Sequence, residues 1–409
     1  MNHPDLEPHL ACTVDDRAHG LVGYLVIHNL VGGKSLGGIR LVADVNLHET
    51  QCAARSMAYK YGFIGLPMGG AKASVRIGPP DDSITASLAM ALSDRREMLM
   101  AFGKALSPII STGAYVPGID MNCTLEDLQH VFHGVGLERD WSWRTIASHR
   151  YTAWTCYICT LVGLEALGIA PEAATFAVQG FGRVGTAYAE LMTAAGAKCV
   201  AVSNELGALT DVAGLEVADL LQAREREGDQ FIVTYPRGEH VSPDVVVAAP
   251  VSVLLPAARA WAINEENWRD VRAQLVVSAA NVSMDDATER VLFEHDRIVV
   301  TDFVANCGGV LGSMLDRELE SAAIWHLLNT AYRKKIADLV ARSRATEQPV
   351  CSLARREVED RFAGWQRSGG AGSANLGRRL RKLVPRRMRA AHFQRFYESL
   401  WKMGDRGDG

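Results

Sequence analysis

The chain has 409 residues, 48% of them hydrophobic, with a formal net charge of −4. That length suits two domains of ordinary size with an ample core. The opening residues, Met1 to Pro8, carry no basic start and no apolar stretch, and no apolar run is long enough to span a bilayer, so no secretory signal and no membrane span are expected.

The first 135 or so residues mix short strands, such as Leu21–His28, with a helix from about Leu47 to Tyr61, where Ala53, Ala54, Met57 and Ala58 fall at helical spacing. A second helix is predicted from about Ser83 to Ala105. Together these form an expected substrate domain. A helix from about Thr152 to Leu167 leads into a nucleotide domain. Its continuous apolar runs, Thr175–Gln179, Cys199–Val202, Val245–Ala248, Leu275–Val277 and Ile298–Val300, read as strands of a parallel sheet buried on both faces. Helices from about Ser321 to Arg342 and from about Ser352 to Trp365 follow. The eight cysteines are scattered, which suits reduced thiols in a cytoplasm. Cys156 and Cys159 form a C-x-x-C inside a helical stretch, without a second pair, and read as core thiols. The twelve histidines show no metal-ligand spacing, and no catalytic metal is expected.

Two segments carry chemistry. Lys60 and Lys72 lie twelve residues apart in one glycine-rich stretch that runs from Gly37-Gly38-Ile39-Arg40 to Gly69-Gly70-Ala71-Lys72. Each lysine costs desolvation energy unless it meets an anion or loses its proton. One can hold a carboxylate; the other, partly buried beside it, is pushed toward a lower pKa and can act as a base. Two surface lysines flanking a turn is the bland alternative.

Downstream, Gly180-Phe181-Gly182-Arg183-Val184-Gly185 lies between the strand Thr175–Gln179 and a helical segment, which is the context a dinucleotide-binding glycine loop requires. Gly180 allows the turn, Gly182 lets a pyrophosphate approach the backbone, and Gly185 lets the helix pack on the sheet. Asn204 and Glu205 follow the next strand, near the place of a ribose-binding acid. Glu205 would bond a ribose 2′-hydroxyl and repel a 2′-phosphate, so NAD is expected over NADP.

In order and spacing these segments resemble the glutamate/leucine/phenylalanine/valine dehydrogenase family, from about Gly37 to about Phe362. The resemblance includes Val116-Pro117-Gly118-Ile119-Asp120, Tyr151-Thr152-Ala153, Ser278-Ala279-Ala280-Asn281 and Asp302 through Asn306-Cys307-Gly308-Gly309-Val310. It implies an α/β fold: a substrate domain (residues 1–140, completed by C-terminal helices of about 335–365) and a Rossmann-type, doubly wound parallel-sheet domain (141–334), with the active-site cleft between them. It implies reversible deamination of an L-amino acid to a 2-oxo acid and ammonia, with a nicotinamide cofactor, by a cytoplasmic homo-oligomer. By the same resemblance Lys60 holds the α-carboxylate, Lys72 is the catalytic lysine that activates water, and Asp120 exchanges a proton with the amine. Thr152 and Asn281 are candidates for the nicotinamide carboxamide. Asn306 would hold the substrate or the nicotinamide ribose.

Glutamate-specific relatives carry a lysine just before the first Gly-Gly and a serine after the second. Here these positions are Leu36 and Ser313. Burying a distal carboxylate against Leu36 would be heavily penalised, so an apolar side chain, branched-chain or aromatic, is expected. Gly118 and Val310 also line that pocket by resemblance, and the small Gly118 suggests room for a large side chain. A glutamate dehydrogenase and a non-catalytic nucleotide-binding regulatory or scaffold protein are the alternatives.

Residues 366–409 read as a linker, Ser368–Ser373, and a basic amphipathic tail. From residue 370 onward ten Lys/Arg face three Asp/Glu, a net +7 against −11 for the remainder. Membrane or nucleic-acid contact is one reading. Docking on the acidic body through Phe393, Phe396, Tyr397, Leu400 and Trp401 is the favoured one.

Overall fold

The computed structural model describes residues 7–77, 92–138, 148–316, 318–367 and 386–402. They form two compact units: Met1–Thr145 with Val358–Gly377, and Ile146–Glu357 with Arg378–Gly409.

The first unit is built on a five-stranded sheet. Its strands are β1 (Leu10–Asp16), β2 (Leu21–Ile27), β3 (Ser35–Val42), β4 (Gly69–Arg76) and β5 (Tyr115–Ile119), in the order β1-β2-β4-β3-β5. β3 runs parallel to both β4 and β5, while β1, β2 and β4 pair antiparallel. Side chains alternate across β3. Ile39 and Leu41 enter a core with Ala71, Ala73 and Val75 of β4. That face is covered by α2 (Leu92–Ala105) and α3 (Leu125–Val135), through Met98, Leu99, Phe102, Leu128, Val131 and Phe132. α3 starts in a capping box between Thr124 and Asp127, and Arg95 of α2 grips the Asp127 carboxylate with two bonds of 2.7 Å. The other face receives α1 (Leu47–Phe63). Asn46 caps this helix by accepting from the Glu49 N–H at 2.7 Å.

In the second unit, α4 (Ser148–Leu167) precedes a seven-stranded sheet. Its strands are β6 (Thr175–Gln179), β7 (Lys198–Ser203), β8 (Ala208–Thr210), β9 (Glu239–Val241), β10 (Val253–Pro256), β11 (Leu275–Val277) and β12 (Ile298–Val300), in the order β12-β11-β10-β6-β7-β8-β9. Five strands are parallel; β8 and β9 add an antiparallel edge. The first strand, β6, is central, with β7 on one side and β10 on the other. The connections therefore reverse direction there, the place where such sheets bind ligands. α5 (Arg183–Ala194) follows β6 directly.

The structure corrects several expectations. Val245–Ala248 is not a strand: Pro243 opens a 3-10 helix, Pro243–Ala248, that buries Val246 and Val247 as side chains without ladder bonds. The strand of that region is β10, which ends at Pro256. The helix expected from Ser83 is described from Leu92 onward, and its earlier part lies outside the described residues. The helix expected over Ser321–Arg342 is present and contains one π-helical turn: α8 (Ser321–Leu327, after α6 at Asp286–Glu294 and α7 at Gly308–Leu315) passes through Leu328–Tyr332 into α9 (Arg333–Thr346).

Residues 335–365 do not all return to the first unit. α9 stays in the second, and within α10 (Val350–Arg367) the change falls between Glu357 and Val358. Buried Lys335 binds Glu357 at 2.7 Å, which holds the start of α10 to α9. The linker Ser368–Ser373 and the basic residues Arg378–Lys382 lie outside the described residues. The last helix, α11 (Arg386–Lys402), belongs to the second unit. Tyr397 and Trp401 are buried, the Trp401 ring lies 5.9 Å from that of Tyr332, and Arg389 pairs with Glu318 at 2.6 Å. Cys156 and Cys159 are buried in α4, with their sulfurs on the Ala305 carbonyl at 3.4 Å and the Tyr332 hydroxyl at 3.2 Å.

Candidate active site

The sheet face opposite the α2–α3 core carries the first cluster. Along β3 it presents Leu36, Gly38 and Arg40, half-buried; along β4, Gly70, Lys72 and Ser74; along β5, Val116 and Gly118. Leu36 pairs with Gly70 on one side and Val116 on the other. The glycines are required by close approach. A Cβ on Gly70 would stand 2.2 Å from the Ala58 backbone nitrogen, so only glycine lets α1 sit this close to β4. A Cβ on Gly38 would stand 2.7 Å from the Asp120 Cβ, so Gly38 lets Asp120 fold over the sheet. A Cβ on Gly118 would meet nothing nearer than the Gly38 Cα at 4.0 Å, so that side of the face is open. Gly37 is buried; its carbonyl accepts from the Tyr115 hydroxyl at 3.1 Å.

This packing gathers the charges. Lys60, in the last turn of α1, is 5% exposed, and Lys72, mid-β4, is 2% exposed. Asp120 directly follows β5, and its Oδ2 lies 2.5 Å from Lys72 Nζ. Arg40 Nε reaches the same carboxylate oxygen at 3.2 Å, and its Nη1 binds Glu49 at the start of α1. Burial pushes the Lys72 pKa down; Asp120 opposes this, and Arg40 and Lys60 add to it. Burial would raise Asp120, but Lys72 and Arg40 outweigh it and hold the carboxyl well below the usual range. Sequence reasoning brought Lys60, Lys72 and Asp120 to this face but assigned no role to Arg40. The available signal was its position, two residues beyond Gly38 on the same strand face.

In the second unit the glycine loop closes the end of β6. The N–H groups of Gly180 and Phe181 both donate to the Ser203 carbonyl, at 3.0 and 2.6 Å. Gly180 has φ of 99° and lies against the Ala258 backbone, where a Cβ would come within 2.7 Å. Gly185 approaches the Gly180 carbonyl, where a Cβ would come within 2.2 Å. Gly182 is the N-cap of α5 and supplies no side-chain cap, and the place of its Cβ is open. This is the cradle a pyrophosphate fits: first-turn N–H groups facing outward from an uncrowded glycine. Arg183 is exposed beside it and Val184 half-buried. The Phe181 side chain does not join them. It is buried against Phe231, ring centroids 5.8 Å apart, so only its backbone is available to a nucleotide. Asn204 is likewise committed, donating to the Asp229 carbonyl at 2.7 Å and accepting from the Leu206 N–H at 2.8 Å. Glu205 stays exposed. Burial, then the nearby Asp229, raise its pKa.

Asn306 is 4% exposed and donates to the Ala279 carbonyl at 3.1 Å and the Asn281 side-chain oxygen at 3.0 Å, so the two asparagines form one unit. Its own side-chain oxygen is buried without a hydrogen-bond partner among the described residues. Behind them, α7 lies against α4. A Cβ on Gly308 would fall 2.1 Å from the Tyr151 carbonyl, and one on Gly309 2.6 Å from the Thr152 hydroxyl. Val310 and Ser313, three residues apart on α7, are both half-buried on one side of that helix.

Among the described residues no group of three or more His, Cys, Asp or Glu could hold a metal, and no helix is long and apolar enough to cross a membrane.

Comparison with known proteins agrees with this geometry. Residues 147–346 match the family model "Glutamate/Leucine/Phenylalanine/Valine dehydrogenase", and residues 7–135 match "Glu/Leu/Phe/Val dehydrogenase, dimerisation domain". A glutamate dehydrogenase of Thermotoga maritima is 30% identical over 307 residues, covering 74% of this chain and 73% of the relative. An NAD-specific glutamate dehydrogenase of Staphylococcus aureus is 27% identical over 314 residues, covering 74% and 73%. Among solved structures, the hetero-hexameric glutamate dehydrogenase of Thermus thermophilus, in a leucine-bound form, superposes with a TM-score of 0.72 at 22% identity, covering 90% of this chain and 93% of that one. The chain belongs to the glutamate/leucine/phenylalanine/valine dehydrogenase family and is an NAD(P)-dependent oxidoreductase acting on the CH–NH2 group of an amino acid.

Proposed function

We propose that the chain reversibly deaminates an L-amino acid with an apolar, branched-chain or aromatic side chain to its 2-oxo acid and ammonia, using NAD. The observation that carries the side-chain reading is Leu36, half-buried on the same sheet face as Lys72, a side chain that offers a distal carboxylate no charge. An unpaired carboxylate held there would lose several kcal/mol relative to water. The open space at Gly118 favours a bulky side chain. By the resemblance to the family, Val310 and Ser313 are the second unit's candidates for contact with the side chain.

In this reading Lys60 holds the substrate carboxylate. Asp120, kept anionic by its two cations, accepts the substrate ammonium and takes its proton. Lys72, with its pKa lowered, activates the water that attacks the iminium. The bound nicotinamide supplies the hydride acceptor. Gly180, Gly182 and Gly185 with the α5 N-terminus hold its pyrophosphate, and Thr152, Asn281 and Asn306 its nicotinamide end. Glu205, with Asp229 beside it, disfavours a 2′-phosphate, which supports NAD over NADP. Assembly as a homo-oligomer is part of the proposal.

The second reading is glutamate. Both relatives described above are named glutamate dehydrogenases, which weighs for glutamate and against an apolar substrate, and Ser313 is kept. NADH oxidation with ammonia and 2-oxoglutarate, 4-methyl-2-oxopentanoate, phenylpyruvate or indolepyruvate decides between them. Preference for 2-oxoglutarate would overturn the reading of Leu36.

A further inference from the structure

We propose that Arg40 is a positioning residue of the reaction: clamped between Glu49 and Asp120, it fixes the carboxylate on Lys72 and sets the pH at which the lysine becomes a base. The inference rests on the roles given above to Lys72 and Asp120.

The geometry is a chain of alternating charge, Glu49–Arg40–Asp120–Lys72, across α1, β3, the end of β5 and β4. Arg40 and Lys72 converge on one oxygen, Asp120 Oδ2, from two sides. A single cation would leave the carboxylate free to swing about the Lys72 contact; two fix its direction. Arg40 is well suited to this, because its rigid planar fork spans two carboxylates where a lysine reaches one at a time. Its side chain is 13% exposed and those of Glu49 and Asp120 21% and 22%, so the pairs are shielded enough to matter. Arg40, Glu49, Thr50, Lys72 and Ser74 line one small cavity together with Val42, Val45 and Ala53, so the guanidinium and the lysine share an environment.

The charged groups acting on Lys72 are Asp120, Arg40 and Lys60; those acting on Arg40 are Asp120, Glu49 and Asp44. The titratable groups that feel Asp120 in turn, Tyr61, Tyr115 and Cys123, are all pushed upward by burial and stay neutral. Near neutral pH the local charge around Lys72 therefore changes chiefly at Lys72 itself. Arg40 acts there as a fixed positive charge that disfavours the protonated lysine, and Glu49 offsets part of it.

The test is the pH profile of kcat/KM with the fastest substrate of the panel. Arg40→Gln should move the limb belonging to Lys72 to higher pH by roughly 1 unit. Glu49→Gln keeps the arginine, removes its far anion, and should move the limb the other way. Circular dichroism and NADH binding, a property of the second unit, check that each variant is folded. A merely structural arginine would lower kcat in both variants and leave the limb in place. An unmoved limb in folded Arg40→Gln overturns the inference, as do shifts of the same sign in both variants. Should Arg40→Gln not fold, Glu49→Gln decides alone: a downward shift supports the clamp and any other result refutes it. Lys72→Ala separates the two levels. If it keeps wild-type turnover, the catalytic reading of Lys72 fails and the Arg40 inference falls with it. If it abolishes turnover while the Arg40 and Glu49 variants leave the limb unmoved, only the Arg40 inference falls.

Discussion

Gly70→Ala is the most demanding test of how this site is assembled. The new Cβ would stand 2.2 Å from the Ala58 nitrogen, 2.5 Å from the Ala54 carbonyl oxygen and 2.5 Å from the Ala58 Cα. All three atoms are α1 backbone, so no side chain can swing aside. Ordinary contact needs about 3.4 Å or more, so α1 and β4 must part by about 1 Å. Overpacking of this kind costs about 1–3 kcal/mol, which lowers the melting temperature by roughly 2–12 °C for a domain of this size. The catalytic effect should be larger. Lys60 lies two residues beyond Ala58, and Lys72 two beyond Gly70, so the same displacement separates the two lysines. A misplacement of about 1 Å at reacting groups can cost about 100-fold in rate. The assay pairs thermal unfolding by circular dichroism with kcat/KM. NADH binding serves as control, because the glycine loop belongs to the second unit. A variant that melts within about 1 °C of wild type and retains kcat/KM within about twofold would refute the close packing of α1 on β4 and the account of the site built on it.

Three further outcomes are expected. Leu36→Lys adds the missing cation and should raise the ratio of kcat/KM for glutamate over leucine by about 10–150-fold, the value of a charge-assisted hydrogen bond of about 1.5–3 kcal/mol; an unchanged ratio would show that position 36 does not select. Glu289 of α6 is buried beside Cys351 and Thr301, with Asp286 and Asp302 near, and burial raises its pKa to about 7. The folded state therefore holds a proton that the unfolded state loses above about 4.5, and stability should fall as pH rises from there to about 7, by up to about 3 kcal/mol. Glu289→Gln should remove that loss and unfold at higher denaturant than wild type at pH 8, read by urea titration. Trp401→Ala, deleting a ring buried between Tyr332 and Tyr397, should cost about 3–5 kcal/mol; urea unfolding within about 1 kcal/mol of wild type would mean that α11 is not docked as described.

Local rules made much of this molecule legible in the sequence. The strand–glycine loop–helix of β6 and α5 needs only neighbouring residues, and positive φ at Gly180 is a property glycine alone supplies readily. Lys60 and Lys72 stood out as a pair from their glycine-rich segment, and Asp120 from the resemblance to the family; the structure brings Lys72 and Asp120 into contact. What escaped was set by tertiary context. Val245–Ala248 has the composition of a strand, yet Pro243 and its position lead it into a 3-10 turn, while the shorter Val253–Pro256 takes the place beside β6. Phe181 and Asn204 sit where a motif would use them, but one fills the core beside Phe231 and the other ties down the loop after β7. Arg40 was invisible as a partner because its two carboxylates are nine and eighty residues away, and only the parallel pairing of β3 with β5 brings the farther one near. Of the tail's five apolar residues, Tyr397 and Trp401 are buried, while Phe393, Phe396 and Leu400 stay half-buried.

Gly182 carries a consequence for folding as well as for binding. It starts α5 without a side chain to satisfy the first-turn N–H groups, a place where Ser, Thr, Asp or Asn would ordinarily add about a few tenths of a kcal/mol over glycine. In the proposed reading the helix gives up part of its own stability so that a ligand phosphate can take the capping position. By linkage, each dinucleotide should raise the melting temperature of the second unit according to its affinity. Thermal shift can then rank NAD, NADP and their fragments before any amino acid is known, and ADP-ribose should recover much of the effect, since the pyrophosphate is the part that completes the helix.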